Sequence, residues 1–317
     1  MNIVITGASS GIGQATAEAF AARGDRLVLA ARGEAALEAV ARTCRAAGAA
    51  VLTVPTDVTD ADAVARLAQQ ARDFCGTIDL WFSNVGVGAV GRFTEVPIAV
   101  HQQTIRSNLI GHMNDAHAVL PIFIDQKQGI FVNMISMGGI AGTPFSAAYG
   151  ASKFGLRGFS EALRAELLDW PHIHVCDVYP SFVDTPALRH AGNYTGKALA
   201  APPPILDPRT VAAAVVRLAD RPRATTLVGA PTWAARIAHA IAPTLPSRIA
   251  GIWFDRYFGH AAPAPVTRGN VSAPPDDMPA IDGGFRHPCA RPMTTIAAGT
   301  LVGAGLIAAL LARPNRG

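Results

Sequence analysis

The sequence predicts an α/β fold: a doubly wound parallel sheet of about seven strands, followed by a helical C-terminal extension. Three observations predict it. Short apolar runs alternate with longer stretches of helical periodicity through the first two thirds of the chain. A glycine-rich turn sits at the first strand–helix junction. Half of the residues are hydrophobic and only 16% are charged, which suits strands covered on both faces.

The apolar run Ile3 to Ile5 leads into Thr6-Gly7-Ala8-Ser9-Ser10-Gly11-Ile12-Gly13, and a helical pattern follows from Ala15 to Ala22. Glycine takes φ > 0 and lets backbone N–H groups approach an anion, while the helix behind the turn aims its unpaired N–H groups and positive dipole end at the same place. The turn is therefore a candidate pyrophosphate site. Arg26 to Ala31 reads as a second strand, with a helix from about Gly33 to Ala47. Ala50 to Val54 is a third, with Asp57 just past its end, and Thr59 or Asp60 can cap the next helix, which runs to about Cys75. Ile78 to Phe82 is a fourth strand, running into Ser83-Asn84-Val85-Gly86, and one long helical stretch is predicted from Pro97 to about Pro121.

Gly129 to Ile135 is a fifth strand ending at Ser136, and a helix from Ser146 to Trp170 carries Tyr149 and Lys153. His174 to Tyr179 is the sixth strand, and a poorly periodic stretch from Ser181 to Asp207 follows. Asp207-Pro208 starts another helix, and Thr225 to Val228 is the last strand. This alternation implies right-handed βαβ units in a Rossmann-type sheet, with ligands at the carboxyl ends of the strands. Gly7, Arg32, Asp57, Asn84, Ser136 and Ser181 lie at those ends.

Residues 1–230 are expected to form this unit. Residues 231–260 read as two amphipathic helices broken around Pro243 and Pro246, with two readings open: packing on the core or a dimer partner, or a lid or membrane-surface role. Residues 261–291, rich in Pro, Gly and Asp, read as a linker or surface-draped tail in which Asp276, Asp277 and Asp282 are solvated. Residues 292–312 form a run without a charge, flanked by Arg291 and Arg313. Its length matches a bilayer span and Gly299 and Gly303 allow close helix contact, but its Ala, Gly and Thr content also fits a helix buried in protein. Membrane association through this segment and burial both stay open.

The net charge is +4, yet there is no dense basic run and there are only three lysines, so no nucleic-acid surface is expected. Cys44, Cys75, Cys176 and Cys289 are scattered without metal spacing to histidine, and free thiols and no metal site are expected. The first strand begins at Asn2, leaving no room for a signal peptide, so a cytoplasmic start is expected.

Tyr149-x-x-x-Lys153 places a phenol and an ammonium on one helix face. A neighbouring ammonium lowers a phenol's pKa, and the pair can then move a proton to or from a substrate oxygen. Ser136, at a strand end, can hydrogen-bond the same oxygen.

The glycine turn, the Asn-bearing strand end, the serine and the Tyr-x-x-x-Lys pair, in this order, resemble the short-chain dehydrogenase/reductase family over about Met1 to Gly229. The resemblance implies a hydride transfer between a nicotinamide dinucleotide and a carbonyl or alcohol. It implies that Tyr149 is the acid or base, that Lys153 tunes it and holds the nicotinamide ribose, that Ser136 orients the carbonyl, and that Asn108 keeps a relay water. It also implies cofactor contacts from Gly7, Ser9, Ser10, Gly11, Ile12, Gly13, Asp57, Val58, Asn84, Pro180 and Thr185, and a homo-oligomer. Two departures stand out: Ser83-Asn84-Val85-Gly86 where the family often has Asn-Asn-Ala-Gly, and Pro180-Ser181 where it often has Pro-Gly. At the end of the second strand an NAD enzyme usually carries an acid; here Arg32 stands there and can pair a 2′-phosphate, which favours NADP(H) over NAD(H). The leading expectation is an NADP(H)-dependent carbonyl reductase or alcohol dehydrogenase with an apolar substrate. A dehydratase or epimerase on the same fold, and a non-catalytic NADP(H)-sensing interaction protein, are the alternatives.

Overall fold

Side chains alternate across a strand, so each strand of a two-faced sheet feeds two cores. In the computed structural model, which describes residues 1–275 and 278–286, that is how the chain is partitioned. Strands β1 (Asn2–Thr6), β2 (Arg26–Ala31), β3 (Val51–Pro55), β4 (Leu80–Ser83), β6 (Gly129–Met134), β7 (Ile173–Pro180) and β9 (Thr225–Val228) form one parallel sheet in the order β3-β2-β1-β4-β6-β7-β9. Two short strands, β5 (Ala89–Val90) and β8 (Gly192–Asn193), pair with each other outside it.

Ile3, Ile5, Leu27, Leu29 and Phe82 point to one face, where α1 (Gly11–Ala21), α2 (Glu34–Ala46) and α8 (Pro208–Asp220) supply Phe20, Leu37 and Val215. Val4, Val28, Trp81 and Phe131 point to the other, where α3 (Ala61–Cys75) and α5 (Gly111–Gln126) supply Leu67, Val119 and Phe123. Asp60, not Thr59, caps α3, accepting from the N–H groups of Asp62 and Ala63 at 3.0 and 3.1 Å. Asp207 caps α8 through the Arg209 N–H at 2.8 Å.

The stretch predicted as one helix from Pro97 to Pro121 differs in two ways. It is α4 (Ile98–Ile105), a π turn over Arg106–Ile110, and then α5, which continues past Pro121. The proline removes one N–H, but Ile122 and Phe123 are buried beyond it and hold the last turn on the core. The long helix α6 (Ala147–Glu166) packs beside α4. After β7 the irregular stretch contains a single turn of helix, α7 (Ala187–His190), and then β8, too short for sequence periodicity to register.

Helices α9 (Ala230–Ile241) and α10 (Leu245–His260) follow β9. The segment after α10 runs back across the carboxyl edge of the sheet. No helix among the described residues is long and apolar enough to cross a membrane, and residues 292–312 and Cys289 lie outside them.

The strand order reverses between β1 and β4: β2 and β3 lie on one side, β6, β7 and β9 on the other. A cleft opens beyond the carboxyl ends at such a switch point.

Candidate active site

The cleft floor is the glycine turn. Gly7 and Gly11 have φ of +66° and +56°, values that favour glycine. Gly13 has ordinary φ but no room: a Cβ there would overlap the Gly7 carbonyl oxygen and come within 2.8 Å of Asn84 Nδ2. Asn84 ties the two sides of the switch point together. Its Nδ2 donates to the Gly7 carbonyl at 3.1 Å and its N–H to the Thr6 hydroxyl at 3.3 Å.

Behind that pair is a carboxyl not anticipated as a site residue. Asp115 on α5 is fully buried and accepts from the hydroxyls of Thr6 (2.8 Å) and Ser83 (2.6 Å), joining the ends of β1 and β4. Burial pushes it up to about 7, against the pull of those hydrogen bonds. The signal was an acid on the same helical stripe as buried Ala116, Val119 and Phe123.

At the end of β6, Ser136 adopts φ 149° and ψ 163°, a region that side-chain-bearing residues seldom occupy and that concentrates at functional sites. It caps the short turn Met137–Gly139, its Oγ accepting from the Gly138 N–H at 3.1 Å. Burial pushes the Tyr149 phenol above its ordinary pKa, and the neighbouring Ser136 side chain pulls the other way. Lys153, one turn along α6, is 2% exposed, donates from Nζ to the Met134 carbonyl at 2.8 Å, and lies 5.8 Å from the Tyr149 ring centre. The anticipated lowering of the phenol pKa by this ammonium is therefore not what the structure shows. Burial raises the phenol instead, and Lys153 is itself pushed down to about 7 by burial, so it is only partly charged near neutrality.

That burial makes a prediction. Unfolded Lys153 titrates near 10.5 and folded Lys153 near 7, so between those values the unfolded chain binds the extra proton. Stability should then rise with pH by up to ~1.4 kcal/mol per unit in this window. Urea melts between about pH 7 and pH 9 should show the rise in the native chain and its loss in Lys153→Met. The same slope in both proteins would contradict it.

Asn108 lies in the π turn, fully buried. Its amide clamps Val87, Oδ1 accepting the Val87 N–H and Nδ2 donating to the Val87 carbonyl, each at 2.8 Å, and Nδ2 also reaches the Ser152 hydroxyl at 3.3 Å. It thus fixes the loop after β4 against α6. His112, one turn on, spans Val85 and Asn133 at 2.8 Å each, and burial lowers its pKa to about 4.

At the far end of the cleft, Asp57 accepts from the Thr59 N–H and hydroxyl at 2.9 and 2.8 Å, and Val58 is buried beside it. The Arg32 guanidinium donates to the carbonyls of Asn270 (2.8 Å) and Ala273 (3.4 Å). The segment treated as a linker is thus a strap over the cofactor end of the cleft. The Gly11 N–H donates to the Ala280 carbonyl at 2.9 Å. Arg286 holds the strap by ion pairs to Asp184, Asp207 and Asp282 at 3.1, 2.7 and 2.6 Å. Asp282, expected to be solvated, also pairs with Arg209 at 3.0 Å. It is fixed because Arg209, 73 positions away, and Arg286, four residues on, converge on it. Asp276 and Asp277 lie outside the described residues.

A cavity of about 440 Å³ joins these parts. Gly7, Ser9, Ser10, Gly11, Ile12, Arg32, Asp57, Val58, Asn84, Ser136, Tyr149, Lys153, Pro180 and Thr185 all line it. Gly13 and Asn108 stand just behind the wall. The strap adds Asn270, Pro274 and Pro275 to the lining, and α10 adds Phe254 and Phe258.

Known proteins share this arrangement. The family model for short chain dehydrogenase matches residues 1–194. YxnA, an uncharacterised oxidoreductase of Bacillus subtilis, is 31% identical over 250 residues, covering 78% of this chain and 70% of its own length. An alcohol dehydrogenase from the archaeon Thermococcus sibiricus, complexed with 5-hydroxy-NADP, is 26% identical with a TM-score of 0.62, covering 71% of this chain and 94% of that one. A short chain dehydrogenase/reductase from Burkholderia phymatum, in complex with NAD, is 28% identical with a TM-score of 0.65, covering 83% and 96%. With the glycine turn at the switch point and the serine, tyrosine and lysine on one cavity wall, the chain belongs to the short-chain dehydrogenase/reductase family of NAD(P)-dependent oxidoreductases.

Proposed function

We propose that the chain is an NADP(H)-dependent reductase or dehydrogenase acting on the carbonyl or alcohol group of apolar compounds. The observation that carries this reading is that Ser136, Tyr149 and buried Lys153 line the same cavity as the glycine turn, with Lys153 5.8 Å from the Tyr149 ring centre. When bound, the nicotinamide supplies or accepts the hydride. In reduction the Tyr149 hydroxyl gives its proton to the substrate oxygen, and in oxidation it takes the proton back. The Ser136 hydroxyl donates to the same oxygen and stabilises its developing charge. Lys153 holds the nicotinamide ribose and compensates the phenolate. Asn108 acts through the loop it clamps.

The residues suit a dinucleotide. The first turn of α1 faces the cleft, and among the described residues the N–H groups of Ile12 and Gly13 take no protein acceptor. Asp57 and Val58 stand where the adenine would lie, and Pro180, Thr185 and Asn84 flank the nicotinamide side. The apolar substrate is supported by Pro144, Leu199, Phe254 and Phe258 on the lining.

The cofactor preference rests on Arg32. The two strap carbonyls engage one nitrogen of its fork and hold it at the end of β2, so other donors stay free for a 2′-phosphate. Removing a charge-assisted bond of ~1.5–3 kcal/mol weakens binding about 10- to 100-fold. Fluorescence titration of Arg32→Ala should show that loss for NADPH, with NADH within about threefold of the native chain. Equal losses for both cofactors would count against the assignment.

A further inference from the structure

Of the fourteen exposed large hydrophobic residues in the described structure, six fall on the pair of helices after β9. Trp233, Ile237 and Ile241 follow one another at four-residue spacing along α9 and are 55%, 58% and 69% exposed. Ile249, Ile252 and Trp253 cluster on one side of α10, 51%, 61% and 39% exposed. Single exposed apolar side chains are ordinary, but six on two neighbouring helices, two of them tryptophans, mark an interaction surface.

Three of the four charged side chains on these helices are arginines. Arg236, Arg248 and Arg256 are exposed and form no ion pair among the described residues. The one acid, Asp255, is taken by Arg92 at 2.6 Å. Isoleucine, tryptophan and unpaired arginine on one face match a helix lying in the plane of an anionic bilayer surface, with arginines at the headgroups and tryptophans at the boundary.

Two further observations choose the bilayer over other partners. The opposite side of α10 is built into the enzyme: Phe254 and Phe258 meet Phe145 with ring centres 6.2 and 5.1 Å apart, and the Tyr257 hydroxyl donates to the Ala198 carbonyl at 2.9 Å. One helix therefore separates the cavity from the exposed face. The sequence beyond the strap also continues into residues 292–312, 21 residues with no charged side chain.

We propose that the exposed face of α9 and α10 docks on an anionic lipid bilayer, with the apolar end of the cavity next to the membrane surface. This goes beyond the oxidoreductase reading and does not depend on which cofactor is bound.

The test uses the full chain with vesicles of phosphatidylcholine and phosphatidylserine carrying brominated acyl chains. None of the chain's four tryptophans lies in residues 292–312, and subtracting the signal of Trp81 and Trp170, read in Trp233→Phe/Trp253→Phe, leaves that of the two helices. Quenching is expected on anionic vesicles and should disappear in Trp233→Phe/Trp253→Phe. Arg236→Gln/Arg248→Gln/Arg256→Gln should lower vesicle partitioning about 100-fold, at ~1 kcal/mol for each arginine near an anionic surface. Ile237→Glu/Ile252→Glu should abolish the quenching while melting temperature and NADPH binding stay as in the native chain, which excludes misfolding. The proposal is overturned if brominated lipid leaves both tryptophans unquenched. It is also overturned if the hairpin variants and lipid charge leave partitioning unchanged, or if Ile237→Glu/Ile252→Glu splits an oligomer whose tryptophans no lipid reaches.

Discussion

Replacing Tyr149 by Phe should lower kcat for carbonyl reduction by about 100- to 10,000-fold while leaving NADPH binding within about threefold. The substitution deletes one oxygen and keeps the ring in place on α6. What is lost is a cavity-lining hydroxyl on a ring whose centre lies 5.8 Å from Lys153 Nζ, one helical turn away. Burial raises the phenol pKa, so in the free protein Tyr149 is a neutral acid carrying a transferable proton at pH 7. That is the form reduction needs. For oxidation the phenolate must form, and a bound cofactor must shift the balance through Lys153. Steady-state rates with a carbonyl substrate, alongside cofactor fluorescence titration, separate the two effects. A variant that binds NADPH as the native chain does and reduces at the native rate would remove Tyr149 from the chemistry.

Gly13→Ala should be nearly as severe, but for packing rather than chemistry. Its Cβ would overlap the Gly7 carbonyl oxygen and press on Asn84 Nδ2, 2.8 Å away. Neither neighbour is the free end of a flexible side chain: one is backbone in the turn, the other is bonded to that same carbonyl. Relief requires α1 to move off the turn, which breaks the Asn84 link and misaligns the helix N-terminus. Overpacking at such a contact costs about 3 kcal/mol or more, and NADPH affinity should fall more than about 100-fold. Gly158→Ala is the control. That glycine is exposed within α6, has nothing within 4 Å of a Cβ, and should gain about 0.5–1 kcal/mol from the same substitution. Thermal melts of the two variants test the pair. Equal behaviour would show that the close approach at Gly13 is not what demands glycine there.

The sheet was legible because its strands are continuous apolar runs, buried on both faces, and the turn chemistry between them is local. The glycine turn and the Tyr149–Lys153 spacing were legible for the same reason, since each lies within eight residues. Features made by distant partners were not. The β5–β8 pair joins residues 89–90 to 192–193, and two residues carry no period. The strap reaches Arg32 from Asn270, 238 positions away, through backbone carbonyls that any residue type supplies. Asp282 has a local partner in Arg286, four residues on, but Arg209, 73 positions away, is one that nothing local singles out. Asp115 could be suspected from an acid on a buried helical stripe, but its partners Thr6 and Ser83 come from two other elements. The strained Ser136 backbone is set by the turn it caps, and serine itself gives no sign of it.

The proposed reaction is hydride transfer between a nicotinamide and an apolar carbonyl or alcohol at the Ser136–Tyr149–Lys153 corner. Its most direct test is incubation of the full chain with NADPH deuterated at the transferable C4 position and a panel of aromatic and long-chain ketones and aldehydes, followed by mass spectrometry of the alcohols. The account predicts one deuterium on the carbinol carbon of the apolar products, and none when Tyr149 is replaced by Phe. If the protein binds the cofactor yet yields no labelled alcohol from the panel with NADPH or NADH, the account is contradicted.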